Sequence, residues 1–351
     1  MQSTMKPAVR LDSLDYLRGL AALGIMLYHV ASWTFGDQPA DTFSGRIGTY
    51  GVSIFYVLSG LTLQHVYFSQ MTDMRSVRQF FVRRVFRIFP LLWLVTIIAI
   101  VLSRTAPDPF DLFLNLTGLF GFVSWDTYFS AGVWSIGNEL VFYALFPIIV
   151  LAARSRAGLW VVGAVLGGLY LYFAFIGIDP SESMTDEWST YINPLNQAFL
   201  FYCGFLIGHL LHSVRLSKVV VHGSLWGGIA LFILWPTSAE RIDLVTGWNR
   251  LVFTVLCVLI CAAIYKIQPS LPRPVHVPLV TLGHASYSVY LLHPIVYNVL
   301  NKSELLGNRS TALATIVLTL VVAYASYRWF EMPINRLARK LPSREKNQIT
   351  A

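Results

Sequence analysis

The chain has 351 residues, of which 55% are hydrophobic and only 13% are charged. A soluble domain carries about twice this charged fraction, so the composition excludes an ordinary soluble enzyme and indicates a membrane protein. The formal net charge of +8 comes without any basic–aromatic ladder, which argues against a nucleic-acid partner and favours contact with membrane lipid.

Apolar runs long enough to cross a bilayer recur along the whole chain, since a membrane-spanning helix needs about 20 residues. We predict an all-α polytopic membrane protein with about ten transmembrane helices. The ten predicted spans cover residues 15–35, 47–68, 84–103, 134–153, 157–178, 193–212, 219–236, 247–265, 279–299 and 310–330. A shorter run at 110–123 is too brief and too polar for a span, and we interpret it as re-entrant or interfacial.

The loops predict the orientation, because Lys and Arg accumulate on the cytoplasmic side of a membrane. With the N-terminus in the cytoplasm, the predicted inner loops hold most of the basic residues and the outer loops most of the acids. The basic residues of the inner loops are Arg75, Arg78, Arg83, Arg84, Arg154, Arg156, Arg215, Lys218, Lys266 and Arg273. We therefore expect both termini in the cytoplasm, with a transmembrane domain over residues 1–335 and a basic cytoplasmic tail over 336–351.

The first span carries two ionisable residues, Arg18 and His29. An α-helix rises about 1.5 Å per residue, so His29 lies roughly 16 Å deeper than Arg18 and near the bilayer centre. Ionisable groups are costly inside a membrane and usually mark a functional site. Histidine can accept a hydroxyl proton near neutral pH, so His29 is a candidate catalytic base, with Arg18 as a second candidate catalytic residue.

The second span contains a small-residue pair, Ser59–Gly60, and a histidine near its inner end, His65. Small residues in membrane helices more often permit close packing than perform chemistry. Both readings stay open here, and Ser59 and His65 are candidate cofactor contacts.

Three arginines cluster where the third span leaves the cytoplasm: Arg83, Arg84 and Arg87. Arg84 and Arg87 share a helix face, and two guanidinium groups on one face suit a phosphate or pyrophosphate. The simpler alternative is anchoring to anionic lipid. The run uses Arg without Lys, which shifts the interpretation toward a specific anion, so all three arginines are candidate cofactor-binding residues.

The fourth span places a carboxylate, Glu139, inside the outer membrane edge without a basic residue in the same helix. Such a carboxylate needs a partner from another helix, and Arg18 and His29 are the candidates on the first span. Glu139 is either a structural tether or part of a proton-handling site, and we take it as a candidate catalytic residue. The candidate substrate contacts around it are Trp134, Ser135 and Tyr143.

The last two spans carry further polar residues. We interpret His284 as a core histidine and His293, near the outer edge, as interfacial. Glu331 ends the tenth span close to Arg328, where a local ion pair is the expected role.

All three cysteines fall inside predicted spans, at Cys203, Cys257 and Cys261. Cys257 and Cys261 share a helix face, but two thiols without a nearby histidine make a poor metal site. We expect small packing residues and no bound metal.

Several of these residues stand in ordered motifs. The motifs are Arg18-x10-His29, FYVLSG at 55–60, RRVFRIFP at 83–90, WSIGNELVFY at 134–143, SYSVYLLH at 286–293 and EMP at 331–333. With them, nearly the whole chain resembles the integral-membrane acyltransferase-3 family, the O-acyltransferases of bacterial surface polysaccharides. The chain departs from the family pattern at Tyr56, where a second Phe is usual.

The resemblance implies ten core helices, an acyl-CoA donor (usually acetyl-CoA) on the cytoplasmic side, and transfer to a hydroxyl on the opposite side. It implies that His29 is the catalytic histidine and Arg18 its motif partner. It also implies that Arg84 and Arg87 contact the coenzyme A phosphates, with Arg83 assisting.

By the same resemblance Glu139 is a further site carboxylate. Many family members carry a C-terminal esterase-like domain, whereas this chain ends about twenty residues after its last predicted span. We therefore expect it to acylate its acceptor directly or to hand the acyl group to a separate protein.

The predicted function is acetyl transfer from acetyl-CoA to a hydroxyl of a surface or exported carbohydrate or a glycolipid, in the bacterial inner membrane. In the expected mechanism His29 accepts the hydroxyl proton, while Arg18 or backbone donors stabilise the oxyanion. A covalent acyl-His29 intermediate stays open as a variant.

Three alternatives remain open from the sequence. They are succinyl rather than acetyl transfer, a transporter or flippase for an anionic glycolipid, and a non-catalytic subunit of a polysaccharide assembly complex, which is also an expected partner of an enzyme. Neither a nucleic acid nor a metal is expected as a partner.

Overall fold

A computed structural model describes residues 11–303 and 306–340, and within those ranges the chain forms helices and loops without a strand. The helices are α1 (Asp12–Phe35), α2 (Phe43–Tyr67), α3 (Met74–Ser103), α4 (Pro109–Thr117), α5 (Phe120–Val123), α6 (Val133–Ala152), α7 (Arg156–Tyr172), α8 (Trp188–Tyr191), α9 (Pro194–Leu211), α10 (Lys218–Leu234), α11 (Arg241–Val245), α12 (Gly247–Ile267), α13 (Arg273–His284), α14 (Ser286–Ser303), α15 (Asn308–Ser326) and α16 (Met332–Lys340). Two π-helical turns, Phe173–Gly177 and Tyr327–Glu331, extend α7 and α15.

Six helical segments of the described ranges are long and apolar enough to cross a membrane. They are Met74–Ser103, Val133–Ala152, Arg156–Gly177, Trp188–Leu211, Gly247–Ile267 and Asn308–Ala338. The prediction of an all-α, multi-pass membrane protein is therefore confirmed, whereas the total of ten spans and the cytoplasmic termini stay predictions. α10 has only 17 residues, and α1 and α2 are long enough but interrupted by polar side chains.

The predicted span 279–299 comprises parts of two helices. α13 ends at His284 and α14 begins at Ser286, with Ala285 between them. The break lies where α13 meets α1 closely: a Cβ atom on Gly283 would stand 2.1 Å from the Asp15 carbonyl oxygen. This close approach brings the start of α14 against the polar part of α1.

The run at 110–123 folds as the two short helices α4 and α5. Asp108 caps α4 by accepting hydrogen bonds from the backbone N–H groups of Phe110 and Asp111. The indole N–H of Trp93 on α3 donates to the Leu116 carbonyl oxygen over 2.7 Å. The segment is thus attached to a long apolar helix, and its re-entrant or interfacial placement stays a prediction.

An arginine on the predicted outer side, Arg46, attaches α2 to the end of α10. Arg46 on α2 is buried and donates to the Phe232, Ile233 and Trp235 carbonyl oxygens at the end of α10, over 2.5 to 2.8 Å. The last carbonyls of a helix lack partners within the helix, so a guanidinium group satisfies several of them. This structural role explains why the residue departs from the positive-inside pattern.

The centre of the bundle is held by the contact between α2 and α9. A Cβ atom on Gly60 would lie 1.9 Å from the Phe201 carbonyl oxygen, and one on Gly204 equally close to the Val57 carbonyl oxygen. Glycine at both positions lets the two backbones touch, as small residues do between membrane helices. In the Ser59–Gly60 pair of the second span, Gly60 therefore packs against α9, whereas Ser59 does not face that contact.

We expect Gly60→Ala to destabilise the protein by about 3 kcal/mol or more, because the clash is with backbone and cannot be relieved by a rotamer change. The measurement is the thermal unfolding midpoint of the purified protein in detergent. Gly168→Ala is the matched control, since Gly168 lies in α7 with nothing within 4 Å of its Cβ position. Equal midpoints for the two variants would contradict the proposed packing.

Candidate active site

Three adjoining cavities form a line through the bundle. We name them the basic cavity, the central cavity and the aromatic cavity. The basic and central cavities share the lining residues Arg18, Arg84, Arg87 and Tyr287. The central and aromatic cavities share Val52 and Tyr290. The line runs from the Arg18 end of α1 to the His29 end.

The basic cavity has a strong positive excess. Its charged lining residues are Arg18, Arg83, Arg84, Arg87, Arg336, Asp15 and Glu331. Five guanidinium groups thus face two carboxylates. Such a surface suits an anion with several charges, because the arginine fork binds phosphate oxygens in pairs.

Arg84, one of the predicted phosphate ligands, lies among aromatic rings. Its guanidinium group lies over the rings of Tyr67 and Tyr143, 5.4 and 5.5 Å from their centroids, and donates to the Tyr67 hydroxyl over 3.1 Å. Its Nε atom is buried and has no hydrogen-bond partner among the described residues. An aromatic cradle of this kind holds the cation in place without neutralising it.

The helix that carries these arginines, α3, contains a proline. Pro90 lies inside the helix, which continues to Ser103. The Tyr287 hydroxyl of α14 donates to the Ile88 carbonyl oxygen over 2.9 Å, joining the two helices at this level. Arg84 and Arg87, one turn apart, consequently both reach the junction of the basic and central cavities.

Arg18 also lies at that junction, held by two polar partners. It donates to an Asp15 carboxylate oxygen over 3.3 Å and to the Thr62 hydroxyl over 3.1 Å. The sequence interpretation missed Asp15, although the i,i+3 spacing of an acid and an arginine on one helix was a usable signal. His284 adds its Nε2 atom 3.7 Å from the other Asp15 oxygen, so it belongs to this polar group and not to an apolar core.

Glu139 lies in the wall of the central cavity. The Tyr143 and Ser59 hydroxyl groups both donate to its Oε1 atom, the latter over 3.2 Å. In the described residues its hydrogen bonds come from these hydroxyls and not from the expected partners Arg18 and His29. Arg18 lines the same cavity, so the two side chains face one space without a direct hydrogen bond.

His29 meets a second histidine. Its Nδ1 atom lies 2.9 Å from Nε2 of His293, which is fully buried, and the two rings are stacked. The interpretation of His293 as interfacial is therefore wrong. The two residues are far apart in sequence, and only the packing of α14 on α1 brings them together.

The hydrogen bonds of this pair fix the tautomers. His293 Nδ1 lies 3.0 Å from the Val289 carbonyl oxygen, which can only accept, so Nδ1 carries the proton. In a neutral His293 ring Nε2 is then an acceptor, and the His29 Nδ1–H must donate to it. This arrangement leaves a lone pair on Nε2 of His29, which lines the aromatic cavity.

The aromatic cavity is built from large rings around His29. Trp33 stacks on His29 with centroids 4.9 Å apart, and Trp134, Trp188 and Tyr191 form other parts of the wall. Its charged lining residues are Asp37 and Arg241, which form an ion pair over 2.7 Å. The cavity is therefore lined by aromatic and polar side chains, and the charges of its one ion pair cancel.

Two loops fasten the aromatic wall. The Trp188 indole N–H donates to the Tyr128 hydroxyl over 2.8 Å, and that of Trp125 donates to the Ser189 carbonyl oxygen over the same distance. Residues 124–132 thus pack against the start of the α8–α9 segment. The wall that contains Trp188 depends on this contact.

The structure distributes the predicted site residues unevenly. Those lining the central cavity are Arg18, Ser59, Arg84, Arg87, Ser135, Glu139 and Tyr143, while Arg83 lines the basic cavity and His29 and Trp134 the aromatic one. His65 lines none of the three. Val66, the next residue, lines the basic cavity, and a helix turns about 100° per residue, so His65 faces His212 and Tyr265 instead.

Glu331 does not pair with Arg328 in the described part of the chain, so that expectation is wrong. The Ser288 hydroxyl of α14 donates to the Glu331 carboxylate. The π-helical turn Tyr327–Glu331 rotates the residue away from the helix face that a regular α-helix would give it. Glu331 consequently lines the basic cavity.

Within residues 11–303 and 306–340, three or more His, Cys, Asp or Glu side chains do not converge anywhere as metal ligands. Cys257 and Cys261 are fully buried in α12.

Comparison with known proteins gives one family match. A family model described as "Acyltransferase domain" matches residues 11–328. The chain is 26% identical to nodulation protein 10 of Rhizobium leguminosarum bv. viciae over 95% of each protein, and 27% identical to the exopolysaccharide production protein ExoZ of Rhizobium meliloti over 90% of this chain and 96% of ExoZ.

A third relative is longer. The chain is 27% identical to the peptidoglycan O-acetyltransferase OatA of Listeria monocytogenes, with the match covering 92% of this chain and 56% of OatA. The chain therefore spans about half the length of that relative. No solved structure matches the chain.

Proposed function

The chain belongs to this acyltransferase family and is a multi-pass membrane O-acyltransferase, and we propose that it moves an acetyl group from acetyl-CoA in the cytoplasm to a carbohydrate hydroxyl across the membrane. The observation that supports this proposal is the line of three cavities, with arginines at one end and His29 at the other. An anionic donor and a neutral acceptor can then approach the same point from opposite sides.

The dimensions of the donor fit this line. Arg18 and His29 are about 16 Å apart along α1, at 1.5 Å per residue. The pantetheine arm of coenzyme A has about thirteen bonds between phosphorus and sulfur, and it extends roughly 15 Å at about 3.5 Å per three bonds. With its phosphates at the basic cavity, the donor can therefore present its thioester close to His29.

In this proposal the arginines bind the donor phosphates. Arg84 and Arg87 reach both the basic and the central cavity, and Arg84 keeps an unused donor group. Arg83 lines the basic cavity beside them. Donor recognition would thus rest on charge-assisted hydrogen bonds from a preformed cationic surface.

The central cavity would enclose the pantetheine arm. Glu139 and its hydroxyl partners Ser59 and Tyr143 line that cavity and can accept hydrogen bonds from the amide N–H groups of the arm. Glu139 would therefore position the donor. This role differs from the catalytic one expected from the sequence.

His29 would act as the general base. Its free Nε2 lone pair accepts the proton of the acceptor hydroxyl as that oxygen attacks the thioester carbonyl carbon. When the carbon–sulfur bond breaks, the imidazolium group returns the proton to the sulfur, giving an ester and free coenzyme A. Arg18, some 16 Å away along α1, is too far to stabilise the same oxyanion, so we assign it to the donor end.

The acceptor would occupy the aromatic cavity. Trp33 and Trp188 offer ring faces for the apolar faces of a sugar, and an overall uncharged wall favours a neutral glycan or the sugar part of a glycolipid. The relatives named for peptidoglycan and exopolysaccharide are consistent with a carbohydrate acceptor. Acetyl is the proposed group, because the OatA relative is an O-acetyltransferase.

The proposed setting is the bacterial inner membrane, with about ten spans and both termini in the cytoplasm. The basic cavity lies at the Arg18 end of α1, the end that the positive-inside pattern places in the cytoplasm. The proposal keeps one transmembrane domain, residues 1–335. Of the proposed tail 336–351, residues 336–340 form part of α16, and residues 341–351 lie outside the described residues.

The deciding experiment is mass spectrometry of the surface glycans of the host after deletion of the gene and re-expression of variants. We expect His29→Ala to reduce glycan acylation at least about 100-fold, the usual contribution of a general base. The exposed histidine of α10, as His222→Ala, is the matched control and should restore full acylation. The mass added by the wild type distinguishes acetyl from succinyl.

Full acylation by His29→Ala would overturn the mechanism. Less glycan with unchanged acylation after deletion would instead support transport or assembly, and the donor and acceptor assignments would fall.

The histidine pair gives a second prediction. We expect His293→Leu to lower kcat about 100-fold with little change in the KM for acetyl-CoA, because His29 loses the acceptor that holds its tautomer. His293→Gln should recover much of that loss, since its side-chain oxygen can accept from the His29 Nδ1–H. Thermal unfolding midpoints of the two variants serve as the control. Equal kcat values for the His293→Leu and His293→Gln variants would show that His293 only fills space.

A further inference from the structure

The C-terminal helix forms a wall of the basic cavity. Met332, Asn335 and Arg336 stand on one face of α16, at i, i+3 and i+4, and all three line the cavity together with Ala338. α16 packs against α3, which carries the phosphate-binding arginines, and against the π-helical turn. Residues that look like a detached basic tail in the sequence therefore lie beside the donor site.

Arg336 is a cation without an acidic partner in the described part of the chain. Within the described residues its guanidinium group donates to the Met332 sulfur over 3.5 Å. Other arginines are already engaged: Arg46 holds carbonyl oxygens of α10, and Arg241 pairs with Asp37. Arg336 has its donor groups available to a ligand.

The position of Arg336 suits contact with the adenosine end of the donor. Arg18, Arg84 and Arg87 line both the basic and the central cavity, whereas Arg336 lines the basic cavity alone. Arg83 and Arg336 thus lie away from the junction of the basic and central cavities. In coenzyme A the pyrophosphate lies between the pantetheine arm and an adenosine ribose that carries a 3′-phosphate. With the arm in the central cavity, the ribose lies in the basic cavity, of which α16 forms one wall.

We infer that Arg336 binds the 3′-phosphate of the adenosine end of the donor, with the Asn335 amide beside it as a second donor group. This inference rests on the proposed function. A phosphomonoester carries between about one and a half and two negative charges at neutral pH, and a guanidinium fork matches its oxygens. α16 is thus a specificity element for phosphorylated coenzyme A.

A basic amphipathic helix at a membrane surface has another possible occupant, the headgroups of anionic lipids. The cavity-facing position of Arg336 favours the donor. Binding in nanodiscs of purely zwitterionic lipid removes the lipid charge, and repeating the measurement with anionic lipid tests the other occupant.

The experiment is calorimetric binding of coenzyme A and of 3′-dephospho-coenzyme A to the full chain in zwitterionic nanodiscs. We expect Arg336→Ala to raise the Kd for coenzyme A about tenfold, as for loss of one charged hydrogen-bonding group, and to leave the Kd for the dephospho form unchanged. Arg336→Lys should retain part of the affinity. Arg156→Ala, at an exposed arginine that opens α7, is the matched control and should bind both ligands as the wild type does.

Equal effects of Arg336→Ala on the two ligands would overturn the inference. So would an effect that appears only with anionic lipid, which would assign α16 to the membrane surface. If the wild type binds neither ligand, the donor assignment of the proposed function fails, and this inference with it.

Discussion

A charged or strongly polar side chain inside a bilayer must find a partner or face water, and this constraint shapes the interior of the protein. The polar residues of α1, α2, α6 and α14 converge on one line of cavities, while α7 and α10 turn apolar surfaces outward. The pairs Arg18–Asp15 and Glu139–Tyr143 satisfy part of each charge and leave the rest directed into a cavity. Hydrogen bonds and the cavities of the site thus offset the free-energy cost of burying these polar side chains.

The line of cavities depends equally on backbone contacts that have no chemical role. Gly60 and Gly204 bring α2 against α9, and Gly283 brings α13 against α1. The first contact fixes the rotation of α2, which turns Ser59 and Thr62 toward the cavity and His65 away from it. The second sets the start of α14, from which Tyr287, Tyr290 and His293 reach the site. Packing glycines therefore decide which polar residues meet.

Sequence patterns predicted the helical class and singled out many of the polar residues that line the cavities, because hydropathy and helical rise are local properties. They could not reveal the contact between His29 and His293, since it depends on how two helices distant in sequence approach each other. They missed Asp15, although its spacing from Arg18 was visible. They misjudged Glu331 because a π-helical turn changes the face on which it lies, and they left Arg336 in a tail because a short basic helix resembles one.

A single rigid helix connects the two ends of the proposed reaction. Arg18 and His29 both belong to α1, which runs unbroken from Asp12 to Phe35, so their separation cannot change without bending that helix. In the proposed complex, the length of the donor arm therefore matches a fixed distance between Arg18 and His29. In the proposed reaction the protein needs no large movement to bring the acyl group to the level of His29, because the donor itself spans the distance. Under the proposed function, the spacing in the first motif corresponds to the reach of the donor.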